Sequence, residues 1–169
     1  MRNTVRIMGI DASLRATGIG LIDATGSQLK HVAHKIIKTS SSMLLSRSLK
    51  ILLEGIKKTI EEYQPSIAAV EGIFFCRNIQ TAITLGEARG VVIASCVQAN
   101  LPIFEYEPRK IKQAVVGFGS ASKEQMQKMI KSLLGLKSMP GEDESDALAI
   151  AICHAHNMGH EYLSKAKEI

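Results

Sequence analysis

Residues 5–24 read VRIMGIDASLRATGIGLIDA. Two apolar runs, Val5 to Ala12 and Thr17 to Ala24, flank a short turn of small and polar residues, and the first run ends at an acid, Asp11. This pattern predicts two strands. Thr25-Gly26-Ser27 is a turn signal, and Gln28 to Lys38 reads as a third strand, so the chain should open as an antiparallel meander. Working outward, Leu45, Leu49, Leu52, Leu53, Ile56, Ile60 and Tyr63 recur at steps of three and four before Pro65, which predicts an amphipathic helix. Ile67 to Ile73 (IAAVEGI) reads as a buried strand broken by one acid, and Asn78 to Gln98 as a second long helix. Gly86 and Gly90 in that helix each cost about 1 kcal/mol against alanine, which predicts a close backbone approach there. Pro102 to Tyr106 is a fifth strand. Arg109 to Val116 and Ser122 to Leu134 read as helices on either side of a Gly117-Phe-Gly-Ser-Ala turn, and Pro140-Gly141 precedes a last helix from near Glu142 through ALAIAIC. The order predicts an α/β fold in one domain over residues 1–169, with a five-stranded mixed sheet and a short charged tail at about 161–169.

Composition bounds the class. With 169 residues, 46% hydrophobic and 22% charged, the chain can bury a core without disulfide or metal staples. Cys76, Cys96 and Cys153 are an odd number at wide spacing, so they read as free thiols in a reducing compartment. Apolar runs such as Ala147 to Cys153 are far shorter than the roughly 18 residues of a membrane helix. The N-terminus runs straight into a strand, with no signal peptide expected, and the expected location is the cytoplasm. The net charge is +5, and its distribution is uneven. From Pro108 to Lys137, Arg109, Lys110, Lys112, Lys123, Lys128, Lys131 and Lys137 face the single acid Glu124, a local net of +6 that leaves −1 for the rest. A basic face beside a neutral body suits a polyanion, and it also suits a solvated helix surface.

Four acids sit in apolar surroundings. Asp11 ends a strand, where open α/β sheets place ligands. Glu71 interrupts an apolar run and must meet a cation or hold a proton. Asp143 and Asp146 are three apart at the start of a helix and share a face, while Glu142 and Glu144 should point elsewhere. Carboxylates from three distant places, without His or Cys, suit Mg²⁺ or Mn²⁺, and a pair of such ions can drive phosphodiester hydrolysis. Two of the acids also have a structural explanation, Asp11 as a turn cap and Asp143 in a cluster stabilising a helix dipole, whereas Glu71 and Asp146 suit scaffolding less well. Cys153, His154, His156 and His160 resemble a metal cluster on paper but read better as a frayed helix end. Of Phe74 and Phe75, one suits the core and the other a wedge against a base.

The stretches GIDASLRATGIGLI, VEGIFFCRNIQTAITLGEARG, FEYEPRKIKQAVVGFGSASKEQM and DESDALAIAICHAH together resemble the RuvC family of Holliday junction resolvases, over about residues 5 to 160. The resemblance implies an RNase H-like fold, a homodimer and Mg²⁺-dependent endonuclease activity on four-way DNA junctions, with two ions per site and Mn²⁺ as a substitute. Paired nicks in strands of like polarity would leave ends that a ligase can seal. A branch-migration motor would be a further partner. The family's four catalytic, metal-binding acids fall on Asp11, Glu71, Asp143 and Asp146. Its DNA-contacting lysines fall on Lys112 and Lys123 and its junction aromatic on Phe74, and Arg77, Lys110 and Lys128 are further expected DNA contacts. The helix with Gly86 and Gly90 resembles the one that carries the dimer contact. Where many members read Asp-Pro-Gly, this chain has Asp11-Ala12-Ser13. Two other readings remain at this point. One is half of an actin-like ATPase, which needs a second similar domain to enclose a nucleotide. The other is a junction-binding module that never cuts.

Overall fold

In the computed structural model, which describes residues 3–72, 78–158 and 167–169, the expected meander forms from β1 (Val5–Asp11), β2 (Ala16–Thr25) and β3 (Gln28–Lys38). Both of its pairings are antiparallel. β4 (Ile67–Glu71) then lies parallel to β1, and β5 (Ile103–Tyr106) parallel to β4. The sheet order is β3-β2-β1-β4-β5-β6. The sixth strand corrects the five expected. β6 (Lys167–Glu168) pairs antiparallel to β5, and Ile169 donates its N–H to the Ile103 carbonyl at 3.1 Å. Two charged residues carry no apolar alternation, so they could be read only as tail; the open hydrogen-bonding edge of β5 recruits them.

Alternation along the strands builds two cores. Met8, Ile10, Ile19, Leu21, Ala68 and Val70 pack under α1 (Leu45–Tyr63) and α2 (Ile79–Gln98). Ile7, Ile22, Ala69 and Tyr106 face the other way, toward α3 (Pro108–Val116), α4 (Lys123–Leu133) and α5 (Glu142–Asn157). α3 ends where Gly117 turns left-handed at φ 88°. α4 begins in a capping box, with Gln125 donating its N–H to Ser122 Oγ and Ser122 donating its N–H to Gln125 Oε1. Among the described residues, no helix is long and apolar enough to cross a membrane.

α5 is the element that places the site. Ala147 through Cys153 are all essentially fully buried, so this helix runs through the core. It lies against Gly9 on β1 and Gly18 and Gly20 on β2. A Cβ on Gly9 would stand 2.1 Å from the Ala147 carbonyl oxygen, one on Gly18 2.0 Å from that of Asp143, and one on Gly20 2.6 Å from the Leu148 nitrogen. Only a surface without side chains admits a helix backbone this close. The close approach expected at Gly86 and Gly90 is not made within the chain, since nothing lies within 4 Å of a Cβ at either. Those two glycines belong to the outward face of α2.

This contact makes Gly9→Ala a severe change although it adds one methyl group. The methyl collides with helix backbone, which has no rotamer to change, so Gly9→Ala should destabilise the protein by about 3 kcal/mol in urea unfolding.

Candidate active site

Ile10 lies opposite Val70 in the parallel β1–β4 ladder, so the next residues, Asp11 and Glu71, emerge side by side at the carboxyl ends of adjacent strands. Alternation turns both toward the α5 face, the one that holds Ile7 and Ala69. Asp11 is also the cross-strand partner of Gly18, against which the Asp143 backbone is pressed. Asp146 lies one helical turn further along α5. The glycine contact therefore brings the start of α5 to the ends of β1 and β4, and four acids from three distant segments become neighbours.

Their charges feel one another. Asp11 is pushed up to about 7, first by burial and then by the charges of Asp146, Glu71 and Asp143, against a small pull from Lys123. Burial also raises Glu71, helped by Asp146 and opposed by Lys112. Asp146 is raised by burial, with Lys123 and Lys112 pulling the other way and Asp143 adding to the rise. A cleft of about 120 Å³ is lined by Glu71 and Asp146 together with Lys112, Lys123, Pro108 and Met126.

The flanking acids are occupied elsewhere, as expected. Glu142 forms an ion pair with Lys123. Gly141 donates its N–H to Glu144 Oε2 at 2.9 Å, which caps the helix. Among the described residues, by contrast, none of Asp11, Glu71, Asp143 and Asp146 has an ion-pair partner within 4.0 Å. As placed, no three His, Cys, Asp or Glu side chains among the described residues stand together closely enough to hold a metal ion. Partly buried carboxylates that repel one another and have no cationic partner suit a hard divalent cation, and an all-oxygen donor set is the right kind. The residues present fit such an ion.

The expected DNA contacts are distributed unevenly. Lys112 and Lys123 line the acid cleft. Lys128 pairs with Glu124 at 2.6 Å, one turn away along α4. Lys110 is felt by the Cys153 thiol, toward the other half of α5, and does not line the cleft. Phe74 and Arg77 lie outside the described residues, as do Phe75, Cys76 and His160. The turn after Asp11, with Ala-Ser in place of Pro-Gly, is closed by Thr17: its hydroxyl donates to the Ser13 carbonyl and accepts the Ser13 N–H at 3.3 Å.

The fraying expected at the end of α5 does not reach Cys153 and His154, although His156 and Met158 beyond them are exposed. Cys153 and His154 are buried, and the helix continues to Asn157. His154 Nδ1 is 2.7 Å from the Tyr106 hydroxyl, and burial holds its imidazole down at about 4. Burial pushes the Cys96 and Cys153 thiols up to about 12, so neither is a nucleophile. Sequence reasoning also passed over Arg89. Its guanidinium is buried, donates to the Glu71 carbonyl oxygen at 2.7 Å and pairs with Glu105. An arginine within an otherwise apolar helix segment was the available signal.

A family model described as crossover junction endodeoxyribonuclease RuvC matches residues 7–154. The chain belongs to the RuvC family. Among relatives of that name, the one from Azoarcus sp. (strain BH72) is 51% identical over 151 residues, covering 89% of this chain and 82% of the relative. That of Caldicellulosiruptor saccharolyticus is 47% identical over 152 residues, covering 89% and 92%. T. thermophilus RuvC in complex with Holliday junction substrate superposes with a TM-score of 0.89 at 30% identity, over 98% of this chain and 99% of that one. The mixed sheet with helices on both faces is thus the RuvC fold, the RNase H-like architecture expected. The yeast mitochondrial Holliday junction resolvase Ydc2, at 10% identity and a TM-score of 0.65, shares the fold.

The raised Asp11 carboxyl has a consequence for stability. In metal-free protein the native state keeps this proton to higher pH than the unfolded chain does. Stability from this group is therefore lost as pH rises from about 4 to about 7. Asp11→Asn should remove that slope and stabilise the metal-free protein near pH 8 by on the order of 2 kcal/mol. Urea titrations near pH 5 and pH 8 check this, and an equal wild-type-to-mutant difference at both would contradict it.

Proposed function

We propose that this chain is a structure-selective DNA endonuclease that resolves four-way junctions by paired symmetric nicks during recombination and repair. The observation that carries the reading is the meeting of Asp11, Glu71, Asp143 and Asp146 beside Lys112 and Lys123, in a family of crossover junction endodeoxyribonucleases. The match to T. thermophilus RuvC in complex with Holliday junction substrate supports the choice of DNA.

The four acids would hold two Mg²⁺ ions, or Mn²⁺ in their place; such ions supply a more acidic water and stabilise the departing 3′ oxygen. The protein's own groups provide the surroundings. The ends of β1 and β4 and the first turn of α5 hold the carboxylates on rigid elements, so the donors keep their spacing when the substrate arrives. Lys112 and Lys123 offset the phosphate charge at the mouth of the cleft. Lys110, Lys128, Arg77 and Phe74 belong to the wider DNA footprint, with Phe74 against an unstacked base of the junction. The chain is one nuclease domain acting in the cytoplasm, alongside a branch-migration motor.

A homodimer brings two such sites to one junction. The outward face of α2 supports this assignment: Ile79, Ile83, Gly86, Gly90, Ala94 and Val97 are exposed and recur at steps of three and four. Ile79 is 78% exposed and Val97 58%, while the two glycines offer a smooth floor for close helix packing. Ile83→Glu should yield a monomer by light scattering, with fold retained and paired nicking lost.

The central test incubates labelled four-way junction and matched duplex with protein, with and without Mg²⁺. Wild-type protein should nick only the junction, and only with metal. Asp146→Asn should bind the junction and leave it uncut; cleavage at the wild-type rate by that variant would overturn the assignment of the site. Lys112→Ala and Lys123→Ala should each lower the slope of log affinity against log salt by about 1. An unchanged slope would make the basic segment a solvated surface.

A further inference from the structure

The peptide unit that joins Glu71 to Gly72 is held at both poles. Its carbonyl oxygen accepts a hydrogen bond from Arg89 Nη1 at 2.7 Å, and its N–H donates to the Tyr106 carbonyl oxygen at 2.9 Å. The Tyr106 contact continues the β4–β5 ladder in the ordinary way. The Arg89 contact does not: it comes from a helix, through a side chain 8% exposed in a segment of α2 otherwise lined by Ala88 and Val92. The second arm of the guanidinium is fixed in turn by the Glu105 carboxylate, on β5 opposite Val70.

We propose that Arg89 is a positioning residue for Glu71: its guanidinium, braced by Glu105, fixes the Glu71–Gly72 peptide and so holds the Glu71 carboxylate beside Asp11 and Asp146. The inference rests on the reading of Glu71 as a metal-holding acid and adds what aims it. A buried ion pair is a poor device for stability alone, because well-packed apolar residues of equal volume serve as well or better. What distinguishes this one is where the fork points. One arm meets a carboxylate, and the other meets the backbone of the acid itself, at the last residue of β4. A planar guanidinium spans both acceptors, whereas an ammonium is a point charge. Arg89 also stands directly before Gly90, so the same side chain ties the outward face of α2 to the acid cleft.

The test uses full-length Arg89→Lys and Glu105→Gln, the second leaving the arginine in place with a neutral brace. Mn²⁺ binding is measured by calorimetry without DNA, and hydrogen exchange is followed in peptides that span Gly72. Arg89→Lys should weaken Mn²⁺ binding about tenfold and Glu105→Gln about threefold, as outer contacts to metal ligands do. Exchange at Gly72 should quicken in both. Junction affinity in Ca²⁺ should stay within about twofold, and the loss of nicking should be recovered by raising Mn²⁺ about tenfold. Folded variants with wild-type Mn²⁺ affinity and wild-type exchange would overturn the proposal. So would loss of the fold in both variants, which would make Arg89 a structural residue. Wild-type protein run alongside separates the two readings: if it binds Mn²⁺ but never nicks a junction, the nuclease assignment fails, and the positioning role of Arg89 is still judged on binding and exchange.

Discussion

The backbone of α5 rests on bare sheet, and the functional geometry depends on that contact. Gly9, Gly18 and Gly20 leave no side chain between the strands and the helix, so the helix sits closer than ordinary side-chain packing permits. At this separation the first turn of α5 reaches the tips of β1 and β4. With side chains at these three positions the helix would stand further off, and Asp143 and Asp146 would stand back from Asp11 and Glu71. The approach is held by burial: Ala147 through Cys153 are inaccessible, and that apolar area offsets the repulsion among four neighbouring carboxylates. The cost of burying Asp11, and then of gathering like charges around it, shows in its raised carboxyl, and the rigid core is what holds it there.

Charge is sorted around the cleft with little excess. At the start of α5 four acids occur within five residues, and two are used locally: Glu142 on Lys123, and Glu144 on the helix cap. Of the other two, Asp146 lines the cleft and Asp143 acts on Asp11. Lys112 and Lys123 stand close enough to pull the neighbouring acids down, without closing an ion pair on any of the four. A site arranged this way keeps its oxygen donors free for a cation and still offers positive charge to a phosphate. Arg89 uses the opposite design, a buried cation that engages a carboxylate with one arm and backbone with the other.

Most of the fold was legible because its signals are local. The meander, the amphipathic α1, the helix start at Ser122 and the break at Pro140-Gly141 all follow from periodicity and turn chemistry within a few residues. The four acids were legible by a different route, as charges interrupting or ending apolar runs. What escaped notice depends on partners far along the chain. β6 exists because β5 offers an edge, and α5 is packed at His154 because Tyr106 and Phe104 meet its ring. The glycines show the limit most clearly. Helix propensity drew attention to Gly86 and Gly90, where the chain itself comes no closer, while the close approach lay at strand glycines that turn chemistry does not mark.

By itself, the sequence determined the first five strands and the five helices in their order, which face of each is apolar, and which acids would be costly to bury. Those properties come from neighbours two to four residues apart, through strand and helix periodicity. Only the tertiary structure decided that Asp11, Glu71, Asp143 and Asp146 meet, that Lys112 and Lys123 face them while Lys110 and Lys128 do not, and that Arg89 grips the peptide after Glu71. Each of these depends on the distance between two elements, and that distance is set by the side chains, or their absence, on both.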